Sequence, residues 1–186
     1  MEHQIKIENG RIAESTPPRI DILNATNRYQ LDSVRNLIRT FVEWHRQRDF
    51  EDLALIDQYF DAKAFEEELE TLPGKYAPPK GSLLLALWAG QPAGCVALRK
   101  IDAQTCEMKR MFVYPRFQGR GVGRALAEAI LREAKTAGYT TMRLDTSVRQ
   151  IEALQLYQSL GFKTIDAYYE LSPEMKNWLV FMELSL

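Results

Sequence analysis

The stretch from Val113 to Leu126 (VYPRFQGRGVGRAL) contains the residue types that most clearly suggest chemistry. It lies between a predicted strand and a predicted helix and contains Gly119, Gly121 and Gly123. Glycines let the backbone approach a phosphate without an intervening Cβ, and free amides at the start of a helix attract an anion. From residue 108 to residue 127 the chain carries five basic residues and no acidic one. The pattern predicts a phosphate-binding loop, and the alternative is a glycine-rich turn with solvated arginines.

Two common phosphate-binding motifs do not fit these glycines. A P-loop requires Lys-Ser or Lys-Thr after the last glycine, and neither follows here. A dinucleotide fingerprint, G-x-G-x-x-G, would need a third glycine where the chain has Arg124 or Leu126. Asp145 resembles a ribose-binding acid, but fewer than fifty residues follow it, too few for a second Rossmann half. A nicotinamide-dependent oxidoreductase is therefore the less favoured alternative.

Hydrophobic periodicity predicts the elements that must position this loop. We expect a tail or small hairpin over 1–19 and one domain over 20–186. Predicted helices cover about 30–47, 61–72, a segment ending near 137, and 151–160. Predicted strands cover about 82–89, 93–99, 106–113, 141–146, 162–169 and 178–184. The order indicates a mixed α/β domain with an antiparallel meander followed by a β-α-β crossover.

Composition limits the classes of protein to consider. The chain has 186 residues, 46% of them hydrophobic and 26% charged, which is typical of one globular domain. A net charge of −1 disfavours nucleic acid as a partner. The longest apolar run, residues 83–89, is too short to span a membrane. The two cysteines form no metal-binding pattern, so we expect no metal and a cytoplasmic location.

Two motifs resemble those of a known family. The QxxGxG segment that begins at Gln118 resembles motif A of the GNAT superfamily of acyl-CoA-dependent N-acetyltransferases. The AxxLYxxxGF segment that begins at Ala153 resembles motif B of the same superfamily. The resemblance spans about residues 20–186 and is densest over 107–162. It implies the GNAT fold, a mixed and mostly antiparallel sheet with a splayed central strand pair and flanking helices.

The resemblance also implies acetyl-CoA as co-substrate. In this superfamily the loop amides hold the pyrophosphate, while the preceding strand pairs with the pantetheine arm and directs an N–H at the thioester oxygen. Gln150 lies where relatives often carry Asn. The implied cofactor-binding residues are Met111, Phe112, Val113, Gln118, Gly119, Arg120, Gly121, Val122, Gly123, Arg124 and Gln150.

Two catalytic roles follow from the same resemblance. Tyr157, the motif B tyrosine, would protonate the departing thiolate. The alternative is a core tyrosine, because it shares a helical stripe with apolar residues. Glu107, on the strand before the loop, would act as the base that keeps the attacking amine neutral. The alternative is a carboxylate paired with Lys109 or Arg99.

The predicted function is direct transfer of an acetyl group to a primary amine of a small molecule or peptide. A non-catalytic acyl-CoA sensor is the alternative on the same fold. The acidic segment over 61–70 would suit a cationic amine, or it is a solvated helix face. Phe181 and Met182 on the terminal strand suggest a homodimer edge. Candidate acceptor-lining residues are Trp44, His45, Tyr59, Tyr76, Tyr168, Tyr169 and Trp178.

Overall fold

A seven-stranded mixed sheet forms the centre of the molecule, and a computed structural model describes the chain over residues 19–186. The expected N-terminal tail or hairpin lies outside the described residues, except for Arg19. The strands are β1 (Ile20–Asn24), β2 (Ser82–Trp88), β3 (Gln91–Lys100), β4 (Thr105–Val113), β5 (Thr141–Ser147), β6 (Lys163–Ile165) and β7 (Leu179–Ser185). Their order in the sheet is β1-β2-β3-β4-β5-β7-β6.

The central pair of strands, β4 and β5, separates along its length. It is the one parallel pair in the described sheet, and it pairs only at Thr105–Thr141, Cys106–Met142 and Glu107–Arg143. Beyond these positions the two strands continue without pairing, which leaves an opening in the middle of the sheet. This arrangement confirms the predicted fold class, a mostly antiparallel sheet with a splayed central pair.

Helices cover both faces of the sheet. They are α1 (Arg28–Arg48), α2 (Leu53–Tyr59), α3 (Ala62–Glu70), α4 (Val122–Thr136), α5 (Ile151–Ser159) and α6 (Pro173–Trp178). Leu84 and Val96 pack with α4 residues in one core, while Leu85 and Cys95 pack with α1 residues in another. Because β2 and β3 are covered on both faces, their sequences are continuously apolar rather than alternating.

Four features differ from the sequence-based expectations. Strand β1, which pairs with β2, was not predicted. Helix α2 has seven residues and no side-chain cap, so its periodic signal is too short to recognise. Helix α6 lies between the two strands expected at the end of the chain and includes the first residue of the second one. The helix begins at Pro173, and Ser172 is its N-cap. The long strand expected over 162–169 contains only the three residues of β6.

The terminal strand β7 does not form an edge of the sheet. It lies between β5 and β6, and Phe181 and Met182 are buried. The expected dimer edge at these two residues was therefore wrong, since β6 covers that side. Within residues 19–186, none of the helices has both the length and the apolar character needed to cross a membrane.

Candidate active site

A bulge in β4 directs the strand away from β5. Arg110 has a left-handed φ of 56°, and the β3–β4 register shifts opposite it, between Cys95 and Ala97. Gly94 on β3 permits the close approach of the chains here, because a Cβ at this position would lie 2.7 Å from the Phe112 carbonyl oxygen. The three residues that follow Arg110 lie beyond the last β4–β5 pair, beside the opening in the sheet.

A cavity of about 380 Å³ is lined by this part of β4 and by the start of α4, and we call it the donor cavity. Nine predicted cofactor-binding residues line it: Met111, Phe112, Val113, Gln118, Gly119, Gly121, Gly123, Arg124 and Gln150. The side chains of Arg120 and Val122 lie elsewhere. The Arg120 guanidinium stacks over Trp88, and Val122 is buried in the core.

Six further residues of the donor cavity were not assigned to it from the sequence. They are Phe41, Trp44 and Arg48 of α1, and Glu152, Ala153 and Leu156 of α5. The α5 residues lie within or next to the motif B segment, so their position in the donor cavity could have been predicted from that motif. The α1 residues lie on a helix remote in sequence and belong to no motif, so only the tertiary structure brings them here.

The N-terminus of α4 presents unpaired backbone amides to the donor cavity. Gly121, the N-cap, has a φ of 83° and Gly119 has a φ of 71°, conformations that favour glycine. In the part of the chain that the structure describes, no side chain caps the helix, and the first amide to bond back is that of Ala125, at 3.0 Å from the Gly121 carbonyl oxygen. Amides at such a terminus, together with the helix dipole, form an anion-binding site.

A smaller cavity of about 60 Å³ lies between β4 and β5, and we call it the transfer cavity. It shares Phe41 and Met111 with the donor cavity, so the two adjoin. Tyr157 lines it and is 5% exposed. Burial raises the pKa of Tyr157, which keeps the phenol neutral at pH 7. Among residues 19–186, no protein group forms a hydrogen bond with its hydroxyl.

The family follows from this geometry together with a sequence match. The model of the Acetyltransferase (GNAT) family matches residues 39–162, two thirds of the chain. The chain belongs to the GNAT acetyltransferase family. The predicted family and fold are thereby confirmed.

Individual relatives agree with this assignment. An uncharacterised N-acetyltransferase of Schizosaccharomyces pombe is 39% identical over 106 residues, which cover 56% of this chain and 65% of the relative. Human N-acetylaspartate synthetase is 31% identical over 134 residues, which cover 72% of this chain and 38% of the synthetase. The chain thus matches under two thirds of the first relative and much less of the second.

Solved GNAT structures have the same fold. An acetyltransferase of Streptococcus agalactiae superposes with a TM-score of 0.67 and 25% identity, covering 90% of this chain and 98% of that one. The PaiA N-acetyltransferase of Thermoplasma acidophilum, solved in complex with coenzyme A, has a TM-score of 0.69 and 18% identity, covering 90% and 99%. The second likeness concerns the fold alone.

Charged and hydroxyl groups surround one wall of the transfer cavity in this GNAT chain. The Lys109 ammonium lies 3.0 Å from both Asp145 oxygens, and the hydroxyls of Tyr59 and Tyr169 also donate to that carboxylate. Burial alone would raise the pKa of Asp145, but Lys109 and the two hydroxyls outweigh it, so the pKa is lowered. Asp145 is therefore an ionised carboxylate whose oxygens are already occupied.

Glu107 lies deeper in the sheet and does not line the transfer cavity. Its carboxylate is fully buried, pairs with Arg99 and accepts a hydrogen bond of 2.6 Å from the Tyr168 hydroxyl. Lys109 Nζ lies 3.8 Å away. These contacts match the paired-carboxylate alternative given by the sequence.

His45 lines the transfer cavity and contacts Gln150 at the start of α5. Its Nδ1 lies 2.8 Å from an Asp49 oxygen, and its Nε2 lies 3.1 Å from the Gln150 amide nitrogen. Burial lowers the pKa of His45, despite the attraction of Asp49. A neutral imidazole can accept from Gln150, which fixes that side chain at the wall of the donor cavity.

The residues expected to line an acceptor site divide among several places. His45, Tyr59 and Trp178 line the transfer cavity, whereas Trp44 lines the donor cavity. Tyr59 and Tyr169 also line a third cavity, described below. The other two predicted residues hold carboxylates: Tyr76 donates to Glu68 and Tyr168 donates to Glu107.

The acidic segment on α3 does not present free carboxylates at the site. Glu66 pairs with Arg39 at the surface. Glu68 is buried and pairs with both Arg110 and Lys75. The carboxylate nearest the site is therefore neutralised by two cations, which removes the expected electrostatic preference for a cationic amine.

Proposed function

We propose that this chain transfers the acetyl group of acetyl-CoA directly to an amine nitrogen. The supporting observation is that the α4 amides, which can hold an anion, and the unpartnered Tyr157 hydroxyl line adjoining cavities. Met111 belongs to both cavities and marks their junction. The donor cavity can therefore hold the phosphates of a long thioester. The transfer cavity can hold its reacting end beside a hydroxyl that donates a hydrogen bond.

Acetyl-CoA would supply an acetyl thioester, and the chain's residues would position and polarise it. The α4 amides would hold the pyrophosphate, and a backbone N–H near Val113 would stabilise negative charge on the thioester oxygen. The amine nitrogen forms a bond to the carbonyl carbon as the carbon–sulfur bond breaks. The attacking amine is neutral and its nitrogen becomes positively charged as the new bond forms. The electron pair of the broken bond leaves with sulfur, and that nitrogen gives up one proton, which ends on the sulfur, giving an amide and a thiol.

Tyr157 would assist this proton transfer mainly as a hydrogen-bond donor. A thiol has a pKa of about 8.5, whereas tyrosine starts near 10 and burial raises the pKa of Tyr157 further. The phenol therefore holds its proton more tightly than the product thiol does. Its hydroxyl can stabilise the departing thiolate, and it gives up its proton only as it receives another from the ammonium.

The names of the relatives support acetyl as the transferred group and leave the acceptor open. They include N-acetylaspartate synthetases and an IAA acetyltransferase of Azospirillum brasilense, 36% identical over 121 residues. These names share acetyl transfer and differ in the acceptor.

Binding and turnover test the proposal separately. Acetyl-CoA at a hundred times its Kd should stabilise the protein by about 2.7 kcal/mol, measured as a thermal shift. Thiol release in the presence of amines then measures transfer. A protein stabilised by NADH and not by acetyl-CoA would be a nicotinamide enzyme instead. Binding of acetyl-CoA with no thiol release in the presence of any amine tested would support the sensor alternative.

For Glu107, we propose the paired role over the base role. Glu107→Gln should then leave the shape of the pH–rate profile unchanged, while the free energy of unfolding falls because Arg99 loses its partner. Loss of the acidic limb of the profile in this variant would assign Glu107 as the base.

A further inference from the structure

A third cavity, of about 320 Å³, adjoins the transfer cavity, and we call it the basic cavity. Four cationic side chains line it: Lys75, Arg99, Lys109 and Arg110. The tyrosines Tyr59 and Tyr169 line it as well, and within residues 19–186 no carboxylate does. It shares Tyr59, Lys109 and Arg110 with the transfer cavity.

The carboxylates that pair with these cations are buried and do not line the basic cavity. Glu68, Glu107 and Asp145 have side chains at most 8% exposed, and they face four cations, which leaves one positive charge in excess. The most accessible cations are Arg99, 37% exposed, and Lys75, 45% exposed. Arg99 contacts Glu107 through Nε, and in the described part of the chain its two terminal nitrogens have no hydrogen-bond acceptor.

The sizes of the cavities decide how an acceptor would be placed. The transfer cavity has room for little more than the amine and its neighbouring atoms, so the rest of the acceptor must extend elsewhere. The adjoining basic cavity is about five times larger. An ammonium placed there would meet four cations, whereas a carboxylate would meet a guanidinium edge suited to two parallel hydrogen bonds.

We propose that the acceptor is a small molecule that carries both an amine and a carboxylate, and that Arg99 and Lys75 bind the carboxylate. This inference rests on the proposed acetyl transfer and specifies its substrate class. It reverses the preference suggested by the acidic segment of the sequence. Arg99 acts as a specificity residue, because it contacts the part of the acceptor remote from the reacting nitrogen.

The test compares amino acids with their primary amides, which keep the amine and remove the negative charge. Thiol release from acetyl-CoA measures kcat/KM for a panel of small, acidic and aromatic L-amino acids and for their primary amides. The kcat/KM of the free amino acid should be about 10- to 100-fold higher than that of its amide. Calorimetry of N-acetyl amino acids against their amides, on protein saturated with coenzyme A, measures the same preference without turnover. The best acid should bind at least tenfold more tightly than its amide.

Variants assign the preference to the basic cavity. Arg99→Gln should reduce the acid-over-amide ratio by about tenfold in both measurements, and Arg99→Lys should retain part of it. Because Arg99→Gln removes the guanidinium paired with the buried Glu107 and can impair folding, Lys75→Gln, at a more exposed position, provides a second test. Arg39→Gln, which removes an arginine from an exposed pair that lines none of these cavities, should keep the ratio unchanged.

The outcomes separate this inference from the proposed function. Equal use of acids and amides, a preference for diamines, or transfer only to peptide N-termini would overturn the anionic acceptor and leave acetyl transfer intact. Acetyl-CoA binding with no use or binding of any acid in the panel would also overturn it. Absence of acetyl-CoA binding would instead overturn the proposed function itself.

Discussion

Tyr157 differs from other tyrosines near the site in the state of its hydroxyl. Tyr59, Tyr76 and Tyr168 each donate a hydrogen bond to a carboxylate. In the described chain the Tyr157 hydroxyl has no such partner, although the residue lies on a helical stripe that packs into the core. Because Tyr157 lines the transfer cavity, a ligand or water there can satisfy its hydroxyl. This favours a functional role over a purely structural one.

Replacing Tyr157 by Phe should therefore lower kcat and leave binding of acetyl-CoA nearly unchanged. The expected loss is about 10- to 100-fold, the worth of one hydrogen bond to a developing charge. Steady-state kinetics at saturating acetyl-CoA, together with calorimetry, measure both quantities. Tyr139→Phe is the matched control, since Tyr139 is equally buried but donates to the Lys80 carbonyl, away from the cavities. Full turnover in Tyr157→Phe would remove the residue from the mechanism.

Gly123 should separate ligand binding from stability. A Cβ there would lie 3.6 Å from Leu156 and 3.8 Å from Val113, both ordinary contacts with residues that line the donor cavity. Gly123→Ala should keep or raise the free energy of unfolding, by up to about 1 kcal/mol, because alanine suits a helix better. It should weaken acetyl-CoA binding by about tenfold or more, since the methyl group enters the donor cavity.

Gly90→Ala should give the opposite result and serves as the control. Gly90 has a φ of 80° in the turn between β2 and β3, with nothing within 4 Å of an added Cβ. The substitution should cost about 1–2 kcal/mol of stability, because L-residues are strained in this region, and leave binding unchanged. Equal acetyl-CoA affinity in Gly123→Ala and the wild type would argue against the donor cavity as the binding site.

At the scale of elements, one buried ion pair joins α3 to the bulge of β4. Glu68 accepts two hydrogen bonds from Arg110, the residue with the left-handed φ. Burial alone would raise the pKa of Glu68, but Arg110 and Lys75 outweigh it and lower the pKa from 4.5 to about 2. A lowered pKa stabilises the fold above pH 4.5, and that stabilisation is lost as the pH falls toward 2.

Acid unfolding should reveal this pair. Between pH 4.5 and 2, Glu68 should account for a loss on the order of 3 kcal/mol in the free energy of unfolding. Glu68→Gln should remove this part of the pH dependence and destabilise the protein at pH 7 by about 3–5 kcal/mol, because Arg110 stays buried without its counter-charge. Glu66→Gln, in an exposed pair with Arg39, should change stability by less than about 1 kcal/mol. Equal acid profiles for both variants would contradict the argument.

The sequence predicts elements well where the local signal is sufficient and poorly where tertiary contacts decide. The apolar runs of β2 and β3 and the Gly161 end of α5 are local, and they match the structure to within about two residues. The bulge at Arg110 is not visible in the sequence, since no glycine marks it and the opposing Gly94 is remote. Helix α2, only seven residues long, likewise depends on packing rather than on its own periodicity.

The same distinction holds for the candidate site. The loop from Gln118 to Arg124 could be predicted because one continuous segment carries the motif. The contribution of Trp44 and Arg48 to the donor cavity could not be predicted, because α1 is remote from this loop in the sequence and meets it only in the folded chain. The predominance of cations in the basic cavity has the same origin. Glu68 belongs to an acidic segment, but Arg110 and Lys75 neutralise it only in the folded chain.

At the scale of the whole molecule, the sheet is divided into two halves that share only three paired positions between β4 and β5. Helix α1 helps to span this division, since Phe41 packs against Phe112 of β4 while Arg48 reaches Glu152 of α5. A ligand in the donor cavity would contact β4, α1, α4 and α5 together. Binding should therefore couple the two halves, which are otherwise weakly joined at this point.

Hydrogen exchange measured by mass spectrometry should detect this coupling. Acetyl-CoA at a hundred times its Kd should slow exchange by up to about 100-fold in the segments 111–124, 41–48 and 150–157. The β2–β3 turn at Ala89 and Gly90 should change little, because it lines none of the three cavities and its amides exchange by a local opening that leaves the ligand bound. Gly123→Ala at the same ligand concentration should show reduced protection in all three segments together. Protection confined to 111–124, with none in 41–48 or 150–157, would contradict a ligand that spans both halves of the sheet.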